Sequence, residues 1–171
     1  PARAASAVVG TGTPGSCTEA AFDSALTLAN SGGGTITFNC GSAVTSIPFT
    51  SQKDILADVT INGNDRITLN GGSVTRHFFV NNGLTFRLQH ITLRDGDSAV
   101  GGGAIESSGA QIILESVQLI NNYAPNQGGA VYCYVGSDGT LTISDSLFEN
   151  NASRYGGAIY NDGCVTTISN S

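Results

Sequence analysis

The chain has 171 residues, 40% of them hydrophobic and 12% charged, with 23 glycines and neither methionine nor tryptophan. That is enough apolar material for one core and too little charge for a disordered tail or a coiled coil. It is also too much glycine for long helices, where each costs about 1 kcal/mol. The net charge is −6, with one lysine, Lys53, and scattered arginines. Nucleic acids and anionic membrane surfaces are disfavoured as partners, because both need clustered cations. No apolar run approaches the roughly 20 residues of a membrane-spanning helix, so no direct membrane insertion is expected.

Residues 1–15 read as an N-terminal extension. The chain begins at Pro1, and the small residues Pro1-Ala2-Arg3-Ala4-Ala5-Ser6-Ala7 have no hydrophobic stretch before them. The expectation is a chain processed or excised from a longer one, with any signal peptide removed. Ser16-Cys17-Thr18-Glu19 then has capping-box spacing. Phe22, Ala25, Leu26 and Ala29 fall at i, i+3, i+4 and i+7, one apolar stripe of a helix that Asn30 and Gly32 stop. This predicts a short helix within 16–32. From Thr35-Ile36-Thr37-Phe38 onward the pattern is strand and turn.

The strand region repeats itself. Gly102-Gly103-Ala104-Ile105, Gly128-Gly129-Ala130-Val131 and Gly156-Gly157-Ala158-Ile159 recur at spacings of 26 and 28 residues. Leu93-x-x-Gly96, Leu119-x-x-Asn122 and Phe148-x-x-Asn151 precede them. Phe86-Arg87-Leu88, Ile112-Ile113-Leu114, Leu141-Thr142-Ile143 and Thr166-Thr167-Ile168 lie between, and Val59-Thr60-Ile61-Asn62-Gly63-Asn64 is a less regular earlier copy. Each period holds three short strands and three turns. A strand of four residues spans about 13 Å, and such coils stack about 4.8 Å apart. The chain is therefore predicted to be an all-β, right-handed, single-stranded parallel β-helix over 35–171, forming a single domain with the helix as its N-terminal cap.

The columns follow from the spacing. Leu88, Leu114, Ile143 and Ile168 are expected to stack inside, as are Leu93, Leu119 and Phe148. Arg87, Ile113, Thr142 and Thr167 are expected to face out. Asn122 and Asn151 share a corner, where amides can hydrogen-bond from coil to coil. The Gly102-Gly103, Gly128-Gly129 and Gly156-Gly157 pairs supply tight turns with positive φ. A helix over 18–30 is about 19 Å long and a strand over 35–40 about 20 Å, so Cys17 and Cys40 return to the same end and are expected to form a disulfide. Cys133 and Cys164 lie in neighbouring coils, but Cys164 is displaced by about three positions from the residue aligned with Cys133. A second disulfide and two thiols both stay open there.

The paired Gly-Gly-Ala-Ile and Phe-x-x-Asn motifs resemble those of right-handed parallel β-helix repeat proteins, including the chlamydial polymorphic outer-membrane proteins and large secreted bacterial β-helix proteins. The cap followed by Gly33-Gly34-Thr35-Ile36-Thr37-Phe38-Asn39-Cys40 resembles the start of such secreted chains. The resemblance covers residues 16–171. It implies the β-helix fold and an extracellular or cell-surface location. Its motifs are structural, so it carries over no catalytic residue.

Candidates for chemistry are few. His90, Arg94, Asp95 and Asp97 form the densest charged spot and offer acid/base groups for a sugar substrate, but Asp95 aligns with Asn121 and Asn150, and His90 with Ser116 and Asp145. Arg76-His77 reads as a surface pair at a strand start. Asp54, Asp58 and Arg76 can be brought together only by loops. Asp138 and Asp162, in equivalent loops one coil apart, are the remaining Ca²⁺ reading; otherwise no metal-ligand cluster and no cofactor motif is present. Thr35-x-Thr37 and Thr140-x-Thr142 fit a threonine array for ice binding, but Arg87 and Ile113 interrupt it. Asn151-Ala152-Ser153 matches a glycosylation acceptor, yet Asn151 is needed at the corner.

The repeats run to Ser171 without a visible cap, which points to a longer natural chain or to coverage by another subunit through self-association or a larger surface assembly. The expected function is that of a non-enzymatic secreted or cell-surface scaffold for adhesion or assembly. The alternative is a polysaccharide-binding or polysaccharide-degrading protein on the same fold.

Overall fold

The computed structural model describes residues 5–134 and 139–171. A first strand, β1 (Ala5–Val9), leads through a 3₁₀ turn at Pro14–Ser16 into helix α1 (Glu19–Asn30). There follow β2 (Gly34–Phe38), β3 (Thr45–Pro48), β4 (Lys53–Ile55), β5 (Val59–Asn70), β6 (Phe78–Val80), β7 (Thr85–Arg94), β8 (Ile105–Ser108) and β9 (Gln111–Ile120). The last coils hold β10 (Val131–Tyr134), β11 (Thr140–Ser144), β12 (Leu147–Glu149), β13 (Ile159–Asp162) and β14 (Val165–Ser169). One sheet runs β1-β2-β5-β7-β9-β11-β14, with β3 beside β5 and β12 beside β9; the other runs β4-β6-β8-β10-β13. Every named pairing is parallel, and the chain winds as a right-handed parallel β-helix of about six turns.

The predicted columns are present. Leu88 pairs in register with Leu114, Leu114 with Ile143, and Ile143 with Ile168. The same column extends backwards through Ile61 and Ile36 to Ala7. Its members from Ile36 to Ile143 are fully buried, whereas Ile168 in the last described coil is 54% exposed. Leu93 and Leu119 are buried in the second column, and Phe148 packs against the core beside them. The alternation of buried and part-exposed residues along β3 to β11 is what turns one face of these coils inward.

The coils bend at left-handed residues. His90, Ser116, Asp145 and Asn170 occupy one corner with φ between +50° and +54°. One such residue turns the strand without interrupting its ladder, so β7 and β9 run straight through the corner into the next face. At the Gly-Gly corners the two glycines do different work. Gly128 has φ +57°, a conformation costly for other residues. Gly129 instead lies against the next coil, where a Cβ would strike the carbonyl of Gly157.

Three details of the N-terminal end differ from expectation. Residues 5–9 are a strand of the first sheet, paired with β2, rather than part of a featureless extension. The helix is capped by Thr18, whose hydroxyl accepts from the Ala21 amide, and not by Ser16, which closes the 3₁₀ turn. Glu19 reaches away from the helix to accept from the Thr50 and Ser51 amides and from Lys53. The helix buries the expected stripe of Phe22, Ala25, Leu26 and Ala29. Beneath it Phe22, Phe49 and Phe78 form an aromatic cluster with centroids 4.9 to 6.3 Å apart.

Both disulfides are formed. Cys17–Cys40 joins the approach to the helix to the end of the following strand. Cys133–Cys164 joins two successive coils. Cys133 is in register with Asn161, three positions before Cys164. The Asn161 side chain closes that interval, accepting from the Cys164 amide at 2.7 Å and donating to the Cys164 carbonyl at 2.7 Å. The turn brings the sulfur back over its partner.

Candidate functional site

The corner amides form a ladder. Asn122 donates to the Leu93 carbonyl at 3.2 Å and to the Asn151 side-chain oxygen at 3.0 Å, and Asn151 donates to the Leu119 carbonyl at 2.8 Å. Asn122 also accepts from the Gly96 amide, and Asn151 from the Asn122 amide. Asn151 is thereby committed to the stack that its spacing predicts.

The acid/base group of His90, Arg94, Asp95 and Asp97 is not one site. His90 Nδ1 lies 3.1 Å from Asp65 Oδ1, one coil back. Arg94 donates to its neighbour Asp95 at 2.7 Å, and Asp97 makes a backbone bridge to Tyr123. No hydrogen bond or ion pair joins the two halves among the described residues. Sequence alignment missed Asp65 because the coil around it carries extra residues, with a register shift between Asn62 and Ile67. Asp65, His90 and Ser116 line a hollow of about 40 Å³, room for a few waters rather than a sugar.

Arg76 and His77 are not a surface pair. Arg76 makes an ion pair with Glu106 and donates to Gly101 and Gly102 carbonyls, Ser98 Oγ and Gln52 Oε1. Burial pulls Arg76 below its ordinary pKa and pushes Glu106 above its own, each opposed by attraction to the other. With its donors spent on the protein, Arg76 serves as a clamp between coils under a groove of about 340 Å³ that also includes Val74, Asp97 and Val100. Asp58 lies elsewhere, accepting from the Thr85 amide. His77 is fully buried, with Nε2 3.0 Å from the Leu69 carbonyl and Nδ1 without a partner. Burial holds its pKa down at about 4.

Lys53 is buried at an inward position of β4. It contacts Glu19 and Asp23 of the helix at 2.7 Å each, and its ammonium lies 5.0 Å from the Phe49 ring centre. Burial alone raises the Glu19 pKa, but hydrogen bonds from Lys53 and Thr50 outweigh it and hold the carboxyl at about 2. This group fastens the cap.

The outward face of the second sheet carries a feature the sequence reading missed. In β10, Val131 and Cys133 point inward, so Tyr132 and Tyr134 point outward, with centroids 5.0 Å apart. Tyr160 of β13 is in register with Tyr132, 5.6 Å away, and Tyr155 lies 6.4 Å from Tyr160. The available signal was the 28-residue offset of Tyr132 and Tyr160, the same as that of the flanking Gly-Gly pairs.

Asp138 of the Ca²⁺ reading lies outside the described residues. Among those described, no cluster of three His, Cys, Asp or Glu is placed to hold a metal ion, and no helix is long and apolar enough to cross a membrane. The threonine array is absent as a flat surface, because Thr35, Thr60, Arg87, Ile113, Thr142 and Thr167 share one outward column.

Stacked coils with an amide ladder and paired corner glycines define a parallel β-helix repeat protein. Residues 116–134 and 145–162 match the Chlamydia polymorphic membrane protein (Chlamydia_PMP) repeat. No curated protein and no solved structure matches the chain.

Proposed function

We propose that this chain is a non-enzymatic adhesive scaffold displayed outside a bacterial cell, contacting its partners through the sides of the β-helix. The observation that carries this reading is the family of the repeat. Residues 116–134 and 145–162 match a Chlamydia polymorphic membrane protein repeat, and they do so on residues that build the stack. Two disulfides support an oxidising location. The elongated side surface supports contact with a large partner rather than a small substrate, since solenoids present such surfaces by repetition.

The test is adhesion. Beads coated with the protein are expected to attach to cultured epithelial cells several-fold more than beads coated with albumin, and soluble protein is expected to compete. Equal attachment of the two bead types overturns the reading.

A further inference from the structure

All five tyrosines of the chain lie between residues 123 and 160, and four of them form an outward cluster, three on β10 and β13 and Tyr155 just before β13. The rings extend both along a strand and from coil to coil. Tyr155 is 50% exposed. None of Tyr132, Tyr155 and Tyr160 is buried. Tyr132, Tyr134 and Tyr160 are partly exposed beside Tyr155, and aromatic rings gathered on one outward face mark an interaction surface.

The support beneath the rings is rigid. Val131 and Cys133 are fully buried, and the Cys133–Cys164 disulfide ties together the two coils that carry Tyr132 and Tyr160. Tyr132 also packs on Gly101, where a Cβ would come within 2.6 Å of the ring. Preorganised rings lose little entropy on binding.

The charges around the rings are compensated. Glu106, in register with Tyr132, is paired with Arg76. The Arg154 guanidinium lies over the Tyr155 ring at 5.2 Å. Asp162, in register with Tyr134, adds one carboxylate. The face thus offers flat apolar rings, hydroxyls and an acceptor, with one cation ion-paired and the other stacked on a ring. The charges on this face balance, Arg76 and Arg154 against Glu106 and Asp162, so neither a polyanion nor a basic peptide meets a net opposite charge there. A neutral sugar chain has the complementary chemistry, with C–H faces for the rings and hydroxyls for the polar rim.

We propose that Tyr132, Tyr134, Tyr155 and Tyr160 form a binding platform for a neutral polysaccharide, whose sugar rings stack on the tyrosine faces while its hydroxyls meet the tyrosine hydroxyls and Asp162. This deepens the adhesive reading, on which it rests, by naming the ligand class.

The chain lacks tryptophan, so its intrinsic fluorescence comes from tyrosine and reports on this face directly. The experiment combines tyrosine emission with native gel retardation on hydroxyethylcellulose, galactomannan, soluble β-1,3-glucan and glycogen, with polygalacturonate and poly-lysine as charged comparators. At least one neutral polymer is expected to retard the protein and change its emission, with neither comparator doing so. Tyr132→Ala with Tyr160→Ala is expected to weaken binding at least tenfold. Tyr155→Ala, at an exposed position, is expected to weaken it several-fold with an unchanged melting temperature, which separates lost binding from lost folding. No retardation by any neutral polymer, or retardation unaffected by all three substitutions, overturns the platform. Preferential binding to poly-lysine overturns it in favour of a protein partner. If coated beads adhere to cells but no neutral polymer binds, the platform fails and the adhesive reading stands. If neither wild-type nor variant beads adhere but the polymer binds, the adhesive reading fails and the platform stands.

Discussion

Aromatic side chains are used in opposite ways at the two ends of this solenoid. At the helix-capped end, Phe22, Phe49, Phe78 and Phe86 are buried and touch one another. In the coils beyond Gly128, Phe148 is the one phenylalanine, at the edge of the core, and the tyrosines of β10 and β13 point outward. The first region has an irregular cross-section to close, and large rings fill it. The second is already filled by a repeating aliphatic column, which frees its outward positions for contact with something else.

The largest effect is expected from breaking the first half of this contrast. Phe78→Ala removes a fully buried ring that meets three other phenylalanines. It should cost about 3–5 kcal/mol, read as a lower urea midpoint with little change in slope. Acid comes next. His77 titrates near its ordinary value of 6.5 when unfolded but is held at about 4 when folded. The folded state therefore binds fewer protons between these values. Stability is untouched above pH 6.5, falls as pH drops from 6.5 to 4, and is flat with respect to this group below 4. The loss is about 3 kcal/mol in all. Urea titrations at pH 7, 5 and 4 measure it, and His77→Gln should remove most of the slope in that window. Glu19 acts lower, between pH 4.5 and 2, where protonation releases its contacts to Lys53 and Thr50.

A smaller effect tests the regular coils. Asn122→Ala leaves the Gly96 amide and the Leu93 carbonyl without their side-chain partner. It should cost about 1–3 kcal/mol in urea unfolding. The smallest sharpens the contrast from the other side. Tyr155→Ala should change stability by no more than about 0.5 kcal/mol, because half of the ring is already in water.

The repeating coils were legible because their copies check one another. A column such as Leu88, Leu114 and Ile143 is specified three times, so its inward face follows from spacing alone. The first coils have no such copies. Ala5–Val9 pairs with β2 across an intervening helix, and nothing local in a run of alanine, serine and valine announces that partner. His77 was misplaced for a related reason. It stands at the mouth of β6 after an irregular loop, where alternation has not yet begun, and the loop tucks it among Phe49 and Phe78. The acid/base group failed because adjacency along the chain is a poor guide at a corner. The left-handed residue turns His90 towards Asp65 in the previous coil rather than towards Arg94 on its own strand. The second disulfide was undecided in the sequence because its three-residue displacement needs a particular turn, and the side chain of Asn161 supplies it.

The two disulfides also determine how the molecule responds to a pull. A parallel solenoid gripped at its ends unravels by peeling one coil from the next, because few hydrogen bonds resist at any moment. Here the first covalent link closes a stretch within the opening coils, and the second spans the coils that carry the tyrosines. Force that peels the middle of the stack stops at each link, since a sulfur–sulfur bond does not yield at loads that separate strands. The chain between Cys133 and Cys164 cannot be drawn out to its full contour length, so the ringed face keeps its shape while the protein is under tension.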